Sequence, residues 1–356
     1  MNRIKSYVDE ILRISSSESK ISVFLIGNTS KVIEDDFYSI PIRSYSQFVV
    51  TGAIVSGESI AQEIAKFIDG KIDYVFVDSE KKIIDRHSVS TTPGNIQRAV
   101  SEIISKSILV SYKANDLTVD AADFFIAEYF SRDVANLGGK KTAIIGSGNI
   151  GSKISAKLVE RGSDVSMFRR ETTKLKRVVD YINDSKPKYT IAVASAAKSI
   201  SEACESADII IGLTNGVQVI NQKEISLANK KPLIIDIGKG SISKQAVIFA
   251  HSNGIEVYRL SIESALEGMI ITSISTHNIF TKKTGRSTHN GINLVSGSIL
   301  ALNNEFVVDN FKKPKIIYGL GNGEGDFERN PSQEMLIKLN ALEKIAKDNK
   351  KNEWTI

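Results

Sequence analysis

The sequence predicts two α/β domains joined by a long helix, the second of them a doubly wound parallel sheet. Three observations lead there. Short Ile- and Val-rich runs that stop at turn residues alternate with stretches of helical spacing, and strands separated by helices of that length need a largely parallel sheet covered on both faces. A glycine-rich turn, Gly146-Ser147-Gly148-Asn149-Ile150-Gly151, lies between a strand-like and a helix-like segment. The chain of 356 residues also exceeds the usual length of one domain. With 42% hydrophobic and 24% charged residues, the composition is that of an ordinary globular protein.

The elements follow in order. Ile21 to Ile26 reads as a buried strand ending at Gly27-Asn28, and a helix runs from Ser56 to Ile68 with Ile60, Ile64 and Ile68 on one face. Ile72 to Val77 is a strand closed by Asp78; a helix from Asn95 to Lys106 and a strand from Ser107 to Tyr112 complete a first domain, residues 1–118. A linker helix is expected from Val119, made apolar by Ala121, Phe124, Phe125 and Phe130, within a joining segment 119–137. In the second domain, 138–262, strands are expected at Thr142 to Ile145, Val165 to Phe168, Ala207 to Leu213, Lys231 to Ile237 and Gly254 to Arg259. Helices are expected at Ile150 to Arg161 and Ser243 to Asn253, and Tyr189 to Val193 reads as strand or loop. From 263 to 356 the pattern is less regular. Thr276 to Asn290 reads as a polar loop, Gly291 to Asn303 as a helix of small residues, and Phe306 to Val308 with Ile316 to Tyr318 as a strand pair. Ser332 to Ala346 is a helix with a stripe of Met335, Leu336, Leu339, Leu342 and Ile345. This last segment is expected to complete a cleft and to pack on the first domain or on a second subunit.

The glycine turn points to chemistry. A pyrophosphate needs backbone N–H donors at a helix start with no side chain in the way. Gly146 permits the tight turn, Gly148 the close approach of phosphate, and Gly151 the packing of helix on strand. Strand, turn and helix in that order are the setting of a Rossmann dinucleotide site. At the end of the next strand, where an acidic residue would hold the ribose diol of NAD, stand Arg169, Arg170, Glu171, Thr172 and Lys174. Two guanidinium forks fit the 2′-phosphate of NADP. Glu171 keeps NAD possible. Ligands of such sheets lie at the carboxyl ends of the strands, so Thr214, Asn215 and Gly216 after one strand, and Gly238 and Lys239 after the next, join the expected cofactor site.

For the reaction itself, Lys113 is the first candidate, with Asp120 and Asn115 as partners and Thr118 as a substrate or capping group. If the helix starts near Val119, the separation of Lys113 and Asp120 is open. None of His87, His251, His277 and His289 stands at metal-ligand spacing, and the lone Cys204 excludes an internal disulfide and a thiolate cluster. The loop from Asp85 to Gly94, containing His87, is the most ligand-like of the first domain. A formal charge of +5 spread along the chain argues against nucleic acid, and no apolar segment suggests a signal or membrane anchor. The expectation is a cytoplasmic homo-oligomer, a dimer first, acting on a small molecule.

The layout resembles the amino-acid-dehydrogenase-like group, which includes shikimate dehydrogenase and methylenetetrahydrofolate dehydrogenase: a catalytic α/β domain, a long linking helix, then the nucleotide domain. The likeness spans residues 20–260. Val89-Ser-Thr91-Thr92-Pro93 is similar to the substrate loop of shikimate dehydrogenases, although Gly94 and Asn95 follow where lysine stands in that group. Asn115-Asp116-Leu-Thr118-Val-Asp120 faintly echoes their Asn-Thr-Asp-Gly, and Arg169 with Arg170, Thr172 and Lys174 resembles their NADP pattern. The resemblance implies a dehydrogenase or reductase transferring a hydride between NADP(H) and a small polar metabolite bound between two domains. A non-catalytic dinucleotide-binding regulator, or a redox-neutral lyase or cyclodeaminase with tightly held cofactor, are the alternatives.

Overall fold

The computed structural model describes residues 1–29, 35–83 and 94–351. It divides into two compact units, Met1–Glu267 and Gly268–Ile356. The fold is α/β, with two parallel α/β layers in the first unit.

The first half of unit 1 comprises α1 (Asn2–Glu18), β1 (Ile21–Asn28), β2 (Phe37–Ser44), β3 (Phe48–Val55), α2 (Glu58–Ile68), β4 (Tyr74–Asp78), α3 (Ile96–Ser101) and β5 (Ile108–Tyr112). The sheet order is β2-β3-β1-β4-β5, parallel except for the edge strand β2. Both β2 and β3 were absent from the expected elements. In β2, Pro41 interrupts the pattern and falls where the pairing with β3 shifts register, which an edge strand tolerates. In β3, Gly52 breaks the apolar run because the neighbouring strand leaves no room: a Cβ there would lie 2.3 Å from the Leu25 carbonyl oxygen. Helix α3 is shorter than its expected span to Lys106, because Asp69 at the end of α2 accepts the backbone N–H groups of Ser105, Lys106 and Ser107 and holds them in a turn.

The connecting helix α4 (Ala114–Tyr129) starts five residues before the expected Val119 and stops well before 137. It begins directly after β5, so Lys113 is its N-cap residue and Asp120 lies seven residues along, two turns on the same side.

The second half holds β6 (Lys141–Ile145), α5 (Asn149–Glu160), β7 (Asp164–Phe168), α6 (Thr172–Ser185), β8 (Ala194–Ala196), α7 (Ile200–Cys204), β9 (Ile209–Gly212), α8 (Gln222–Leu227), β10 (Leu233–Asp236), α9 (Lys244–Ser252) and β11 (Val257–Arg259). Its six parallel strands run β8-β7-β6-β9-β10-β11, the 3-2-1-4-5-6 order of the Rossmann fold. Tyr189 to Val193 is not strand; β8 follows it. Helices α4 and α5 pack through buried Ile126, Ile154 and Leu158 and through ion pairs, of which Asp123 with Arg161 is bidentate at 2.5 and 2.9 Å.

Helix α10 (Glu263–Asn278) contains the boundary between the units. It continues as a π-helix, Ile279–Lys283, where a polar loop was expected. The expected helix from Gly291 to Asn303 is corrected: β12 (Gly285–His289) and β13 (Ile292–Ser296) form an antiparallel hairpin. Its two-residue turn is Asn290-Gly291, at φ 49° and 75°, the positive values that an Asn-Gly pair adopts cheaply. Strands β14 (Phe306–Val308) and β15 (Ile317–Leu320) form the expected pair, and it is antiparallel; α11 (Gln333–Lys351) sets Met335 and Leu342 into the small core, with Leu339 partly buried against it.

Candidate active site

The reversal of strand order between β6 and β9 creates a crevice at the carboxyl ends of the strands, and the glycine turn occupies it. Gly146 has φ 113°, and a Cβ there would stand 2.6 Å from the Leu213 carbonyl oxygen. Gly151 faces the same constraint, 2.4 Å from the Gly146 oxygen. Gly148 differs: a Cβ would meet nothing within 4 Å. Its lack of a side chain serves neither packing nor φ and leaves the backbone open towards the cavity. Gly148 is also the N-cap of α5 and offers no side-chain acceptor, so the first-turn N–H groups at Asn149, Ile150 and Gly151 keep their donors for a group outside the helix.

A cavity of about 610 Å³ opens on this turn. Gly146, Gly148, Asn149, Ile150 and Gly151 line one wall, continued by Leu213, Asn215, Ile237, Gly238 and Lys239. The two loops after β9 and β10 are built against each other: a Cβ on Gly238 would lie 2.8 Å from the Thr214 nitrogen, and Asp236 accepts the N–H groups of Gly240 and Ser241. Asn215, Gly216, Lys239 and Gly240 all take positive φ in these loops. The opposite wall comes from the first half: Asn28 at the end of β1 and Thr29 after it, Tyr38, Lys82, and Ala114, Asn115 and Thr118 from the start of α4.

A second cavity of about 370 Å³ lies on the other side of the glycine turn, lined by Ser147, Phe168, Arg169, Arg170, Glu171 and Thr214, among others. Ser147 is buried, and its carbonyl oxygen accepts from Arg169 Nη1 at 2.9 Å. Glu171, the N-cap of α6, is held by Lys174 at 2.9 Å and stands 3.9 Å from Arg169. Thr172, the first residue of α6, is exposed.

The structure thus brings the glycine turn, Asn115, Asn215, Gly238 and Lys239 to one cavity, and Ser147, Arg169, Arg170 and Thr214 to the other. Lys113 and Asp120 line neither. The Lys113 side chain is 62% exposed and, among the described residues, pairs with Asp116 at 3.7 Å, while Asp120 pairs with Lys157 at 3.2 Å on the α5 side of α4. The loop with His87 lies outside the described residues.

Sequence reasoning missed a cluster at the first-half wall. Asp78, the last residue of β4, is buried, and Lys82 Nζ reaches it at 2.9 Å and Glu80 at 2.8 Å. The start of α4 completes the arrangement: the Asn115 N–H donates to Glu80 at 2.9 Å and the Ala114 N–H to Asp78 at 3.4 Å. Negative charge at a helix N-terminus is stabilised there. Burial, then the charges of Asp78 and Glu80, push the neighbouring Tyr112 phenol up and keep its proton in place. The available signal was the strand end itself, Asp78-Ser-Glu80-Lys-Lys82, read only as a stop.

Among the described residues no group of histidine, cysteine and acid side chains gathers as a metal site, and no helix is long and apolar enough to cross a membrane. Cys204, the last residue of α7, is buried, and burial followed by the charge of Glu224 pushes its thiol up to about 12.

Comparison with known proteins bears on the second half. Residues 141–256 match the family model described as the NAD binding domain of 6-phosphogluconate dehydrogenase. A glutamyl-tRNA reductase of Caldivirga maquilingensis is 24% identical over 246 residues, 66% of this chain and 56% of that protein, so the chain spans little more than half of that relative. Among solved structures, dipicolinate synthase A chain from Bacillus subtilis aligns with 72% of this chain and 78% of its own at 15% identity and TM-score 0.37. L-tryptophan dehydrogenase from Nostoc punctiforme aligns over 68% and 70% at 12% identity and TM-score 0.38. Glycine turn, strand order and matched residues coincide: the chain carries a nicotinamide-dinucleotide-binding domain of the dehydrogenase type.

Proposed function

We propose that this chain is an NADP-dependent oxidoreductase acting on a small polar metabolite held in the 610 Å³ cavity. One observation carries the proposal: the bare Gly148 and the first turn of α5 share that cavity with a wall of polar side chains from the other α/β half. A nicotinamide, when bound, supplies or accepts a hydride. The chain's own residues do the rest. The N–H groups of Asn149, Ile150 and Gly151 at the start of α5 hold the pyrophosphate, which the bare Gly148 lets approach, and the loops at Asn215 and Gly238 border the cavity where the two walls meet. Asn115 and Thr118 offer hydrogen bonds to the metabolite from the start of α4.

Preference for NADP rests on the second cavity. Arg169 and Arg170 provide the cationic forks, and Lys174 occupies the Glu171 carboxylate that would otherwise compete for the ribose diol. Fluorescence titration of the full chain with NADPH and NADH tests this directly. NADPH should bind at least tenfold more tightly, and Arg169→Gln should remove most of that margin. Equal affinities, or tighter binding of NADH, would assign the site to NAD and Glu171 to the ribose.

A further inference from the structure

Two groups on the first-half wall are prepared for a ligand that the dinucleotide does not explain. Asn28 ends β1 and is 6% exposed. Its Nδ2 donates to the Glu80 carbonyl oxygen at 2.8 Å, which fixes the amide's orientation. The Oδ1 then has no donor among the described residues, although Asn28 lines the cavity. A buried acceptor left without a donor costs about 1–3 kcal/mol, and a donor on a ligand in the cavity offsets that cost.

Lys82 supplies the complementary group. Its ammonium carries three N–H donors; one goes to Asp78 and one to Glu80, leaving the third for the cavity that Lys82 lines. The side chain is 16% exposed and cannot swing freely, because Asp78 is buried and both acids are fixed by N–H groups of α4. Two carboxylates against one ammonium give the cluster one negative charge in excess. A carboxylate or phosphate ligand would be repelled here, whereas a neutral oxygen accepts the remaining N–H.

We infer that Asn28 and Lys82 form the substrate subsite, and that they take an uncharged hydroxylated carbonyl compound or its alcohol, one oxygen accepting from Lys82 Nζ and a neighbouring hydroxyl donating to Asn28 Oδ1. This rests on the oxidoreductase reading and narrows its substrate. Tyr38, on the same wall, adds a phenol to the lining.

Calorimetric titration of the full chain saturated with NADPH or NADP tests the subsite without relying on turnover. The probes are dihydroxyacetone and erythrulose, their alcohols glycerol and erythritol, and the anion glycerate as a comparator. At least one neutral compound should bind saturably and at least tenfold more tightly than glycerate. Lys82→Met should weaken that binding at least tenfold and leave NADPH affinity within twofold. If Lys82→Met fails to fold because Asp78 loses its cation, the pair Asp78→Asn with Lys82→Met removes both charges and should give the same loss. Tighter binding of glycerate, binding indifferent to Lys82, or no binding of any neutral probe would overturn the subsite. Failure of NADPH itself to bind would instead overturn the oxidoreductase reading, so the two failures are separate.

Discussion

The two α/β halves of unit 1 use their strand ends differently. The second half binds with backbone: a glycine turn and an uncapped helix start face the cavity. The first half offers side chains: Asn28, Tyr38 and Lys82 line the same cavity, Asn28 held by the Glu80 carbonyl and Lys82 by Asp78 and Glu80. Backbone recognition needs residues at fixed short spacing, because consecutive N–H groups must converge on one phosphate. Side-chain recognition needs only that single residues meet in space, and Asn28 and Lys82 are 54 positions apart in the chain.

The sharpest way to break this contrast is to add a side chain to glycines of each half. Gly52→Ala in β3 places a methyl 2.3 Å from the Leu25 carbonyl oxygen, so the first sheet must move. Chemical denaturation should show a loss of about 3 kcal/mol or more, at the upper end of ordinary substitutions. Gly148→Val places its Cβ where no protein atom lies within 4 Å. It should leave the denaturation midpoint nearly unchanged and lower NADPH affinity at least a hundredfold. If Gly148→Val destabilises as Gly52→Ala does, the turn is a packing device and the division between the halves fails.

That contrast also explains what the sequence made legible. The turn from Gly146 to Gly151 declares itself because its geometry is local, and alternating strands and helices then place it in a parallel sheet. The cluster of Asp78, Glu80 and Lys82 stayed silent because its meaning depends on the start of α4, whose first turn accepts no obvious cap at Lys113 and was therefore placed too late. The β12–β13 hairpin was legible and overlooked: Asn290-Gly291 is a strong turn signal, but the small residues after it suggested helix. Gly52 shows the reverse case, a glycine that hides a strand because the reason for it lies in the neighbouring strand.

A smaller effect probes the joint between the halves. Asp123 on α4 is 5% exposed. Burial pushes its carboxyl up, but the hydrogen bonds and charge of Arg161, with Lys157, outweigh this and hold it below the usual carboxylate range. A carboxyl depressed in the folded state contributes stability that is present above its unfolded value, near pH 4, and is lost as pH falls through the folded value. Asp123→Asn should therefore cost about 2 kcal/mol at neutral pH and flatten the loss of stability below about pH 4. An acid limb as steep as in the unaltered chain would place the acid sensitivity elsewhere.

The smallest effect separates two lysines. Lys113 follows β5 and Lys82 follows β4, so both stand after the carboxyl ends of neighbouring strands. Only Lys82 is turned into the cavity and braced by two acids; Lys113 is largely solvated, and its 3.7 Å approach to Asp116 is an exposed pair, a class of interaction with little energetic weight. Lys113→Ala should change stability by less than about 1 kcal/mol, and should leave both NADPH affinity and the binding of a neutral hydroxylated probe within threefold. A tenfold or larger loss of probe binding would mean that the first half recognises its ligand from the helix start, and that the strand-end cluster only holds that helix in place.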